Sequence, residues 1–242
     1  MRFSCPSLGG LFLQKMDCRM RLKALLSLFA ISFIAGSTDL QAIEISGPAK
    51  VVDADTIVIG SQVIRLHGID APESAQRCSL SGGKSWPCGK VAIEHIKELL
   101  TDMTATCSGS VFDDYDRLLA TCRNPSGVEL NLDLVENGLA WAFIKYSDDY
   151  VLPEGIARGK RIGIWQHETE TPWDFRAQRW FVEEQVAPDG CPIKGNISRR
   201  GQIYHTPWSR SYERTKISPE RGERWFCSEA EALKAGWRAP LN

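Results

Sequence analysis

The 242-residue sequence predicts an α+β protein in which short strands form a small barrel, helices pack on that barrel, and a small second unit follows. β-Branched runs separated by tight turns come first along the chain, and segments with helical spacing of apolar residues follow them. The chain is 43% hydrophobic and 24% charged, which is ordinary for a globular protein and argues against extensive disorder.

Residues 1–42 have the features of a secretory signal peptide. A short basic patch, Met20–Lys23, precedes the apolar run Ala24–Gly36, and Ser37–Ala42 is polar and ends in a small residue. The apolar run is short for a bilayer span, although an uncleaved anchor or a buried helix would also fit it. We expect an exported protein, periplasmic or extracellular, with no stable membrane insertion after cleavage of the signal.

Five short β segments are predicted in the region that follows the leader. Their β-branched composition and the Gly and Asp residues between them define the boundaries. Gly68–Pro72 is predicted to be irregular, because Pro72 disfavours helical geometry at the preceding residue. The predicted segments are Ile43–Val52, which enters a turn at Asp53–Asp55, Thr56–Ile59, and, after the turn Gly60–Ser61, Val63–Leu66. A later antiparallel pair is predicted at Met103–Cys107 and Leu118–Cys122, around a charged turn.

The helices are predicted from apolar spacing and stop signals. Ser74–Pro87 is a polar loop before the first helix. The predicted helices are Gly89–Leu100, Leu130–Asn137 ended by Gly138, and Glu154–Gly163, with a short apolar segment at Leu139–Tyr146. We therefore predict a main domain at residues 43–168, a short helix and linker at 169–189, and a small module at 190–242.

Six of the eight cysteines lie beyond residue 42, and an even number in an exported chain favours disulfides. Their spacing suggests the local pairs Cys78–Cys88, Cys107–Cys122 and Cys191–Cys227, although six cysteines allow 15 connectivities. Cys107 and Cys122 are the best supported pair, because a hairpin centred on Asp114 and Tyr115 sets them opposite each other. Metal binding is the alternative, with His205 a further ligand beside Cys191 and Cys227, but no CxxC pair is present.

Three aspartates in the first part of the chain are candidate metal ligands. Asp53 and Asp55 are two residues apart, so in an extended backbone they face the same way, and Asp70 follows after a strand and a turn. Carboxylate oxygens suit Ca²⁺ or Mg²⁺ better than zinc. Taken alone, Asp53 and Asp55 are better explained as turn residues.

Two arginines and one glutamate complete a candidate phosphodiester-hydrolysis site. Arg65 lies in an apolar strand, where a guanidinium needs an anion, and Arg117 follows the hairpin turn. Two guanidiniums on one phosphate would stabilise the charge that develops in a pentacoordinate transition state. Glu73 could activate a water molecule within hydrogen-bond reach. A network of surface ion pairs would use the same residue types.

Five ordered motifs show a family resemblance. They are Val52-Asp-Ala-Asp-Thr-Ile57, Ile64-Arg-Leu-His-Gly-Ile-Asp-Ala-Pro-Glu73, Asp114-Tyr-Asp-Arg117, Asn137-Gly-Leu-Ala140 and Gly163-Ile-Trp165. Over about residues 44–167 the chain resembles the staphylococcal (micrococcal) nuclease, or thermonuclease-like, family. The resemblance implies a five-stranded OB-fold β-barrel with three helices, and Ca²⁺-dependent cleavage of DNA and RNA without base specificity.

The resemblance also implies roles for individual residues. Asp55 and Asp70 match the family's calcium carboxylates, with Asp53 as an acidic neighbour. Glu73 matches the general base, and Arg65 and Arg117 match the phosphate-binding arginines. Tyr115 and Tyr146 fall where the family places nucleotide-contacting tyrosines.

The sequence departs from the family pattern at two positions near these residues. Asp116 stands where the common family form has Gly, which adds negative charge beside Arg117, and Ala71 stands where Thr is more familiar. The segment Trp86–Lys90, with Cys78 upstream, resembles the exported proteobacterial branch, whose rhizobial members include proteins named for succinoglycan biosynthesis. That association comes from genomic context, and no residue of this chain indicates sugar chemistry.

The charge is unevenly distributed along the chain. Residues 43–189 hold 14 basic and 23 acidic residues, whereas residues 190–242 hold 10 basic and 5 acidic residues. An acidic domain is unusual for a protein that binds a polyanion, unless a metal ion and a few placed arginines supply local positive charge. The aromatic residues of the basic module could stack on bases or could form its own disulfide-stapled core.

Two functional hypotheses follow from the sequence. The first is an exported Ca²⁺-dependent endonuclease, a hydrolase with a nucleic acid substrate. The second is a non-catalytic accessory or binding protein of the cell envelope, associated with exopolysaccharide synthesis. The intact set of carboxylates and arginines favours the first, and no protein partner can be inferred.

Overall fold

A computed structural model describes residues 42–100 and 104–241, which belong to one compact unit. Its strands are β1 (Ile43–Asp53), β2 (Thr56–Ile59), β3 (Gln62–Leu66), β4 (Ile69–Asp70), β5 (Cys78–Ser79), β6 (Ser85–Trp86), β7 (Thr104–Phe112), β8 (Leu118–Arg123), β9 (Trp141–Ala142), β10 (Ile193–Ser198), β11 (Gly201–His205) and β12 (Arg224–Phe226). Its α-helices are α1 (Cys88–Leu99), α2 (Leu130–Glu136), α3 (Val151–Gly159), α4 (Pro172–Glu184) and α5 (Glu229–Lys234). The predicted leader lies outside the described residues.

Five of the strands close into a barrel in the order β1-β2-β3-β8-β7. All neighbouring strands are antiparallel except β3 and β8, which are parallel. Alternate residues of these strands point inward, so that side chains such as Ile57, Ile64 and Leu118 are fully buried. Closure leaves no exposed edge in this sheet. The barrel and the helices packed on it confirm the predicted α+β class and the five-stranded OB-fold.

Several element boundaries differ from the prediction. Strand β7 continues five residues past Cys107, to Phe112, and Met103, where it was predicted to begin, is not among the described residues. Ile69–Asp70, predicted to be irregular, forms a short strand with Trp141–Ala142. Residues 169–189 contain a 13-residue helix, α4, in place of a short one.

Helix α3 begins and ends earlier than the predicted Glu154–Gly163. Its end has a backbone cause, because Arg161 and Gly163 both adopt positive φ angles, 54° and 57°, which a right-handed helix cannot continue through. At Gly163 a Cβ atom would lie 2.0 Å from the carbonyl oxygen of Gly138. The two glycines therefore permit a close crossing of the chain just before the segment that leads to α4.

Three disulfides join the cysteines in the predicted pairs, Cys78–Cys88, Cys107–Cys122 and Cys191–Cys227. Cys107 and Cys122 are direct partners in the β7–β8 register, with Cα atoms 4.1 Å apart. Because all six sulfurs are in disulfides, the alternative of a zinc site at Cys191, Cys227 and His205 is wrong. The Nε2 atom of His205 lies instead 3.1 Å from Oδ1 of Asn196.

The C-terminal module has its own sheet and its own core. Strands β11, β10 and β12 form the sheet, and α5 packs beside it. Its buried core consists of Ile193, Tyr204, Phe226, Ala232 and Trp237. Helix α5 begins with a side-chain cap, since Ser228 Oγ accepts a hydrogen bond from the Glu231 amide, and ends before Gly236 at φ 84°. Among residues 42–100 and 104–241, no helix is long and apolar enough to cross a membrane.

Candidate active site

The centre of the candidate site is an ion-pair network around Arg65. This side chain leaves β3 and donates from Nη1 to Asp55 Oδ1 and from Nη2 to Asp70 Oδ1, the latter at 2.6 Å. Asp70 is fully buried and Asp55 nearly so. The network brings together the predicted phosphate-binding arginine and both predicted metal carboxylates.

The β1–β2 turn places Asp55 against the segment that leads to Glu73. Oδ2 of Asp55 accepts a hydrogen bond of 2.8 Å from the backbone amide of Ala71, and Oδ1 accepts one of 3.1 Å from Thr56 Oγ1. The register of β1 shifts between Val51 and Asp53, which is where the strand bends into this turn. The Asp-Ala-Asp-Thr motif thus fixes one carboxylate by backbone and side-chain donors.

Glu73 is held by a buried turn and by the start of α1. Its backbone amide donates to Gln76 Oε1 at 3.1 Å, and its carbonyl accepts from the Gln76 amide at 2.7 Å. The helix approaches so closely that a Cβ on Gly89 would lie 1.7 Å from the Glu73 carbonyl oxygen. The Cys78–Cys88 disulfide ties the start of α1 to the segment just after this turn, and the Gly89 amide donates to the Gln76 carbonyl at 3.3 Å, so the helix start supports the turn that holds Glu73.

Arg117 reaches the same cleft from the β7–β8 hairpin. Arg65 pairs in register with Leu119 of β8, so Arg117, two residues earlier, lies on the same side of the sheet as Arg65. Its Nε atom donates to Asp113 Oδ2 at 2.7 Å, and its guanidinium lies 5.1 Å from the ring centroid of Tyr115. Tyr115 and Tyr146 are both exposed and line this cleft, as does His67.

A third arginine, Arg176 of α4, lies in the site and was missed by the sequence analysis. Its Nη2 atom donates to Asp70 Oδ2 at 2.7 Å, and its Nη1 atom donates to Glu73 Oε1 at 2.6 Å. The guanidinium therefore joins a predicted metal carboxylate to the predicted general base. It comes from a segment that was predicted to be only a short helix and linker.

Helix α4 is positioned for this contact by its aromatic residues. The Trp173 ring stacks on Phe143 at 5.6 Å and meets Trp141 edge-on at 6.5 Å. Residues three apart lie on the same face of a helix, so Arg176 and Trp173 face the same way. Trp141, which Trp173 contacts, pairs in register with Asp70. The contact of Trp173 with Trp141 therefore brings Arg176 close to Asp70. The pattern Trp173, Arg176, Trp180 on one face was the available sequence signal.

The ring of His95 in α1 contacts Asp133 of α2. The contact lies between two helices, away from the Arg65 network. We assign it a structural role.

Burial and mutual repulsion shift the pKa values of the carboxylates in the site. Burial, and then the charge of Asp55, raises the pKa of Asp53 to about 7. Burial, and then the charge of Asp53, raises the pKa of Glu73 well above its ordinary value. Burial also acts to raise the pKa of Asp70, but the guanidiniums of Arg65 and Arg176 outweigh it and hold that pKa low.

The charge balance of the site fits a divalent cation. The four carboxylates of Asp53, Asp55, Asp70 and Glu73 face only two guanidiniums, which leaves two negative charges in excess. Burial, and after it the mutual repulsion of these carboxylates, raises the pKa values of Asp53 and Glu73. Carboxylate oxygens are the donors that Ca²⁺ prefers. The arginines intervene between the carboxylates, and within the described ranges no group of three or more acidic, His or Cys side chains is gathered as an open metal cluster.

Comparison with known protein families agrees with this arrangement. The model of the family described as staphylococcal nuclease homologue matches residues 63–167, which include Arg65, Asp70, Glu73 and Arg117. A second family model, described as ArfC, matches residues 181–239, most of the C-terminal module. Arg176 lies between the two matched regions.

Curated relatives carry endonuclease names and one biosynthetic name. The chain is 32% identical over 137 residues to a protein of Escherichia coli O157:H7 named uncharacterized endonuclease, covering 54% of this chain and 83% of that protein. It is 32% identical over 130 residues to the succinoglycan biosynthesis protein ExoI of Rhizobium meliloti, covering 52% of this chain and 67% of that protein. Endonuclease YhcR of Bacillus subtilis is 27% identical over 208 residues, covering 78% of this chain and 16% of that protein.

Proposed function

Because the chain belongs to the family of staphylococcal nuclease homologues, we propose that it is an exported, Ca²⁺-dependent endonuclease that hydrolyses phosphodiester bonds of DNA and RNA without base specificity. The observation that carries the proposal is the network that joins Asp55, Arg65 and Asp70 and, through Arg176, Glu73, with Arg117 on the same side of the sheet. The three disulfides support export, since such bonds persist in oxidising compartments.

Each residue of the site would have a separate role in phosphodiester hydrolysis. Glu73 accepts a proton from the attacking water, a role favoured by a carboxylate whose pKa is shifted toward neutrality. Arg65 and Arg117 donate hydrogen bonds to the phosphate oxygens as negative charge builds on them. Asp55 and Asp70 would hold Ca²⁺, which supplies Lewis-acid stabilisation of the phosphate when bound. Substrate would then take over donors of Arg65 that pair with Asp55 and Asp70 in this structure.

Cleavage of single-stranded DNA by the purified protein, with calcium and with chelator, tests the proposal. We expect cleavage in calcium and none in chelator. Glu73→Gln should lower kcat by about 10²–10⁴-fold, because it removes the base while keeping the side-chain shape. Arg65→Ala should lower kcat/KM by a comparable factor.

Glu136→Gln is the matched control for Glu73→Gln, because it makes the same chemical change at an exposed position of α2. It should leave cleavage unaltered. Equal rates in calcium and chelator would contradict the metal dependence. Absence of cleavage in both, with a folded protein, would contradict the enzymatic function.

A non-catalytic envelope protein is a second candidate, favoured by the relative named for succinoglycan biosynthesis. It predicts affinity for nucleic acid or glycan without any product on a gel. The same assay therefore separates the two candidates, provided that binding is measured on the same preparation.

A further inference from the structure

The net negative charge of the main domain disfavours binding of a polyanion such as nucleic acid. Together with the helix and linker that follow it, the domain spans residues 43–189, which carry nine more acidic than basic residues, whereas residues 190–242 carry five more basic than acidic residues. Phosphate contacts from Lys and Arg supply most of the affinity of proteins for nucleic acid. The basic surplus of this chain thus lies in the C-terminal module.

The C-terminal module forms a second wall of the cleft that contains the candidate active site. Beside Glu73, the hydroxyl of Ser74 accepts a hydrogen bond of 3.3 Å from the backbone amide of Arg210. At the other end, partial burial and the charge of Glu229 on α5 raise the pKa of Tyr115. The cleft between these points has a volume of about 2040 Å³ and is lined by residues of both parts.

Four arginines of the module line this cleft: Arg200, Arg210, Arg214 and Arg238. Arg214 donates to a serine hydroxyl and Arg238 to backbone carbonyls. In the described part of the chain, none of the four lies within ion-pair distance of a carboxylate, whereas Arg179 and Arg221 do. Guanidiniums without a carboxylate partner are free to pair with phosphate.

Two tryptophans lie beside these arginines in the cleft lining. Trp180 of α4 and Trp208 of the module have ring centroids 6.3 Å apart at an interplanar angle of 39°. Both rings are half-buried: Trp180 packs with part of its surface against the module's core, in which Tyr204 and Trp237 are buried. Partly exposed indole faces beside cationic side chains are the usual platform for unpaired bases.

We propose that this wall, the four arginines with Trp180 and Trp208, binds the single strand of nucleic acid that enters the catalytic site. The inference rests on the proposed function and names its substrate class. A single strand can stack its bases on the indoles, whereas a duplex keeps its bases paired inside. The wall would supply the phosphate affinity that the acidic main domain lacks.

Binding of a fluorescein-labelled oligothymidylate to the full-length mature protein carrying Glu73→Gln tests the proposal by anisotropy. The double variant R210Q/R214Q should weaken binding by about tenfold or more, and should lower the slope of log Kd against log salt by about 1.4. Trp208→Ala should weaken binding by roughly 5–100-fold with little change in that slope.

The matched control is the double variant R199Q/R221Q. It removes the same charge from the same module at two exposed arginines outside the cleft lining, and it should change Kd by less than about threefold. Far-UV circular dichroism of each variant verifies its fold. If Trp208→Ala does not fold, quenching of tryptophan fluorescence by the oligonucleotide in the Glu73→Gln protein replaces it, and no quenching would contradict stacking.

The inference is overturned if R210Q/R214Q and R199Q/R221Q bind alike, or if a duplex binds as tightly as the single strand. Its failure is distinguishable from failure of the proposed function. If the protein cleaves DNA but its binding does not depend on Arg210 and Arg214, the nuclease proposal stands and the binding wall is contradicted. If the protein binds through these arginines but never cleaves, the binding wall stands and the nuclease proposal is contradicted.

Discussion

Asp116 occupies a backbone conformation that glycine adopts more easily. Its φ angle is 62°, in the left-handed region, at the turn that presents Arg117. This explains in physical terms why a glycine is the common family residue at the position. The backbone here needs a positive φ, and Asp is tolerated there at some cost, because its side chain is short and polar.

We predict that Asp116→Gly stabilises the protein. The substitution relieves the left-handed strain, and a gain of about 0.5–1 kcal/mol in the free energy of unfolding is expected from chemical denaturation. Asp114→Gly is the control, because Asp114 lies in the same exposed turn without a positive φ. It should be neutral or destabilising, and equal stabilisation by both variants would show that charge removal, and not φ, is the cause.

The residues of the candidate site differ in how far the sequence could predict them. Asp53, Asp55, Arg65, Asp70 and Glu73 fall within one short stretch, where strand alternation and turn chemistry restrict their positions. Arg176 contacts partners 103 and 106 residues away in the chain, and no local pattern specifies which anion it meets. Its aromatic neighbours indicated a buried helix face, but not what that face covers.

At the scale of elements, helix α1 is a support for Glu73. The helix begins at Cys88, and Gly89 allows its first turn to touch the backbone of residues 72 and 73. The amphipathic spacing predicted the helix to within one residue. It could not predict the close approach at Gly89, because that depends on the path of a distant loop.

We predict that Gly89→Ala displaces Glu73 and lowers activity as well as stability. A Cβ 1.7 Å from a carbonyl oxygen forces the loop to move, at about 1–3 kcal/mol in the free energy of unfolding. A shift of about 1 Å in a reacting group can cost about 10²-fold in kcat. Thermal melting and the single-stranded DNA assay measure the two effects.

Gly155→Ala in α3 provides the matched control, because its Cβ would meet no atom within 4 Å. It should stabilise the helix by about 0.5–1 kcal/mol and leave kcat unchanged. If Gly89→Ala retains the kcat of the unsubstituted protein, the loop is not held in place by this contact.

At the scale of the whole molecule, Arg176 links α4, which lies between the two family-matched regions, to the candidate active site on the barrel. It pairs with Asp70, which is fully buried, and with Glu73. Without the Arg176 guanidinium, the four buried or half-buried carboxylates of the site would repel one another strongly. Arg176 therefore contributes to stability as well as to the geometry of the site.

We predict that Arg176→Gln lowers the free energy of unfolding by about 2–3 kcal/mol in chelator. Calcium should raise the melting temperature of the variant more than that of the unsubstituted protein, because a bound cation offsets part of the lost positive charge. Arg179→Gln on the same helix is the control, since it pairs with Glu213 only at 3.6 Å and at an exposed position. Its effect should stay within about 0.5 kcal/mol, and an equal effect of both variants would contradict a specific role for Arg176.

The bridge between Cys78 and Cys88 has a consequence for the cell that makes this protein. It joins the start of α1 to the segment just after Gln76, and Gln76 hydrogen-bonds both the backbone amide and the carbonyl of Glu73. In a reducing cytosol the thiols would stay unpaired, and the proposed general base would lose this covalent support. If the protein is the exported nuclease proposed above, it would become fully competent only after leaving the compartment that holds the genome, so oxidation on export would protect the producing cell.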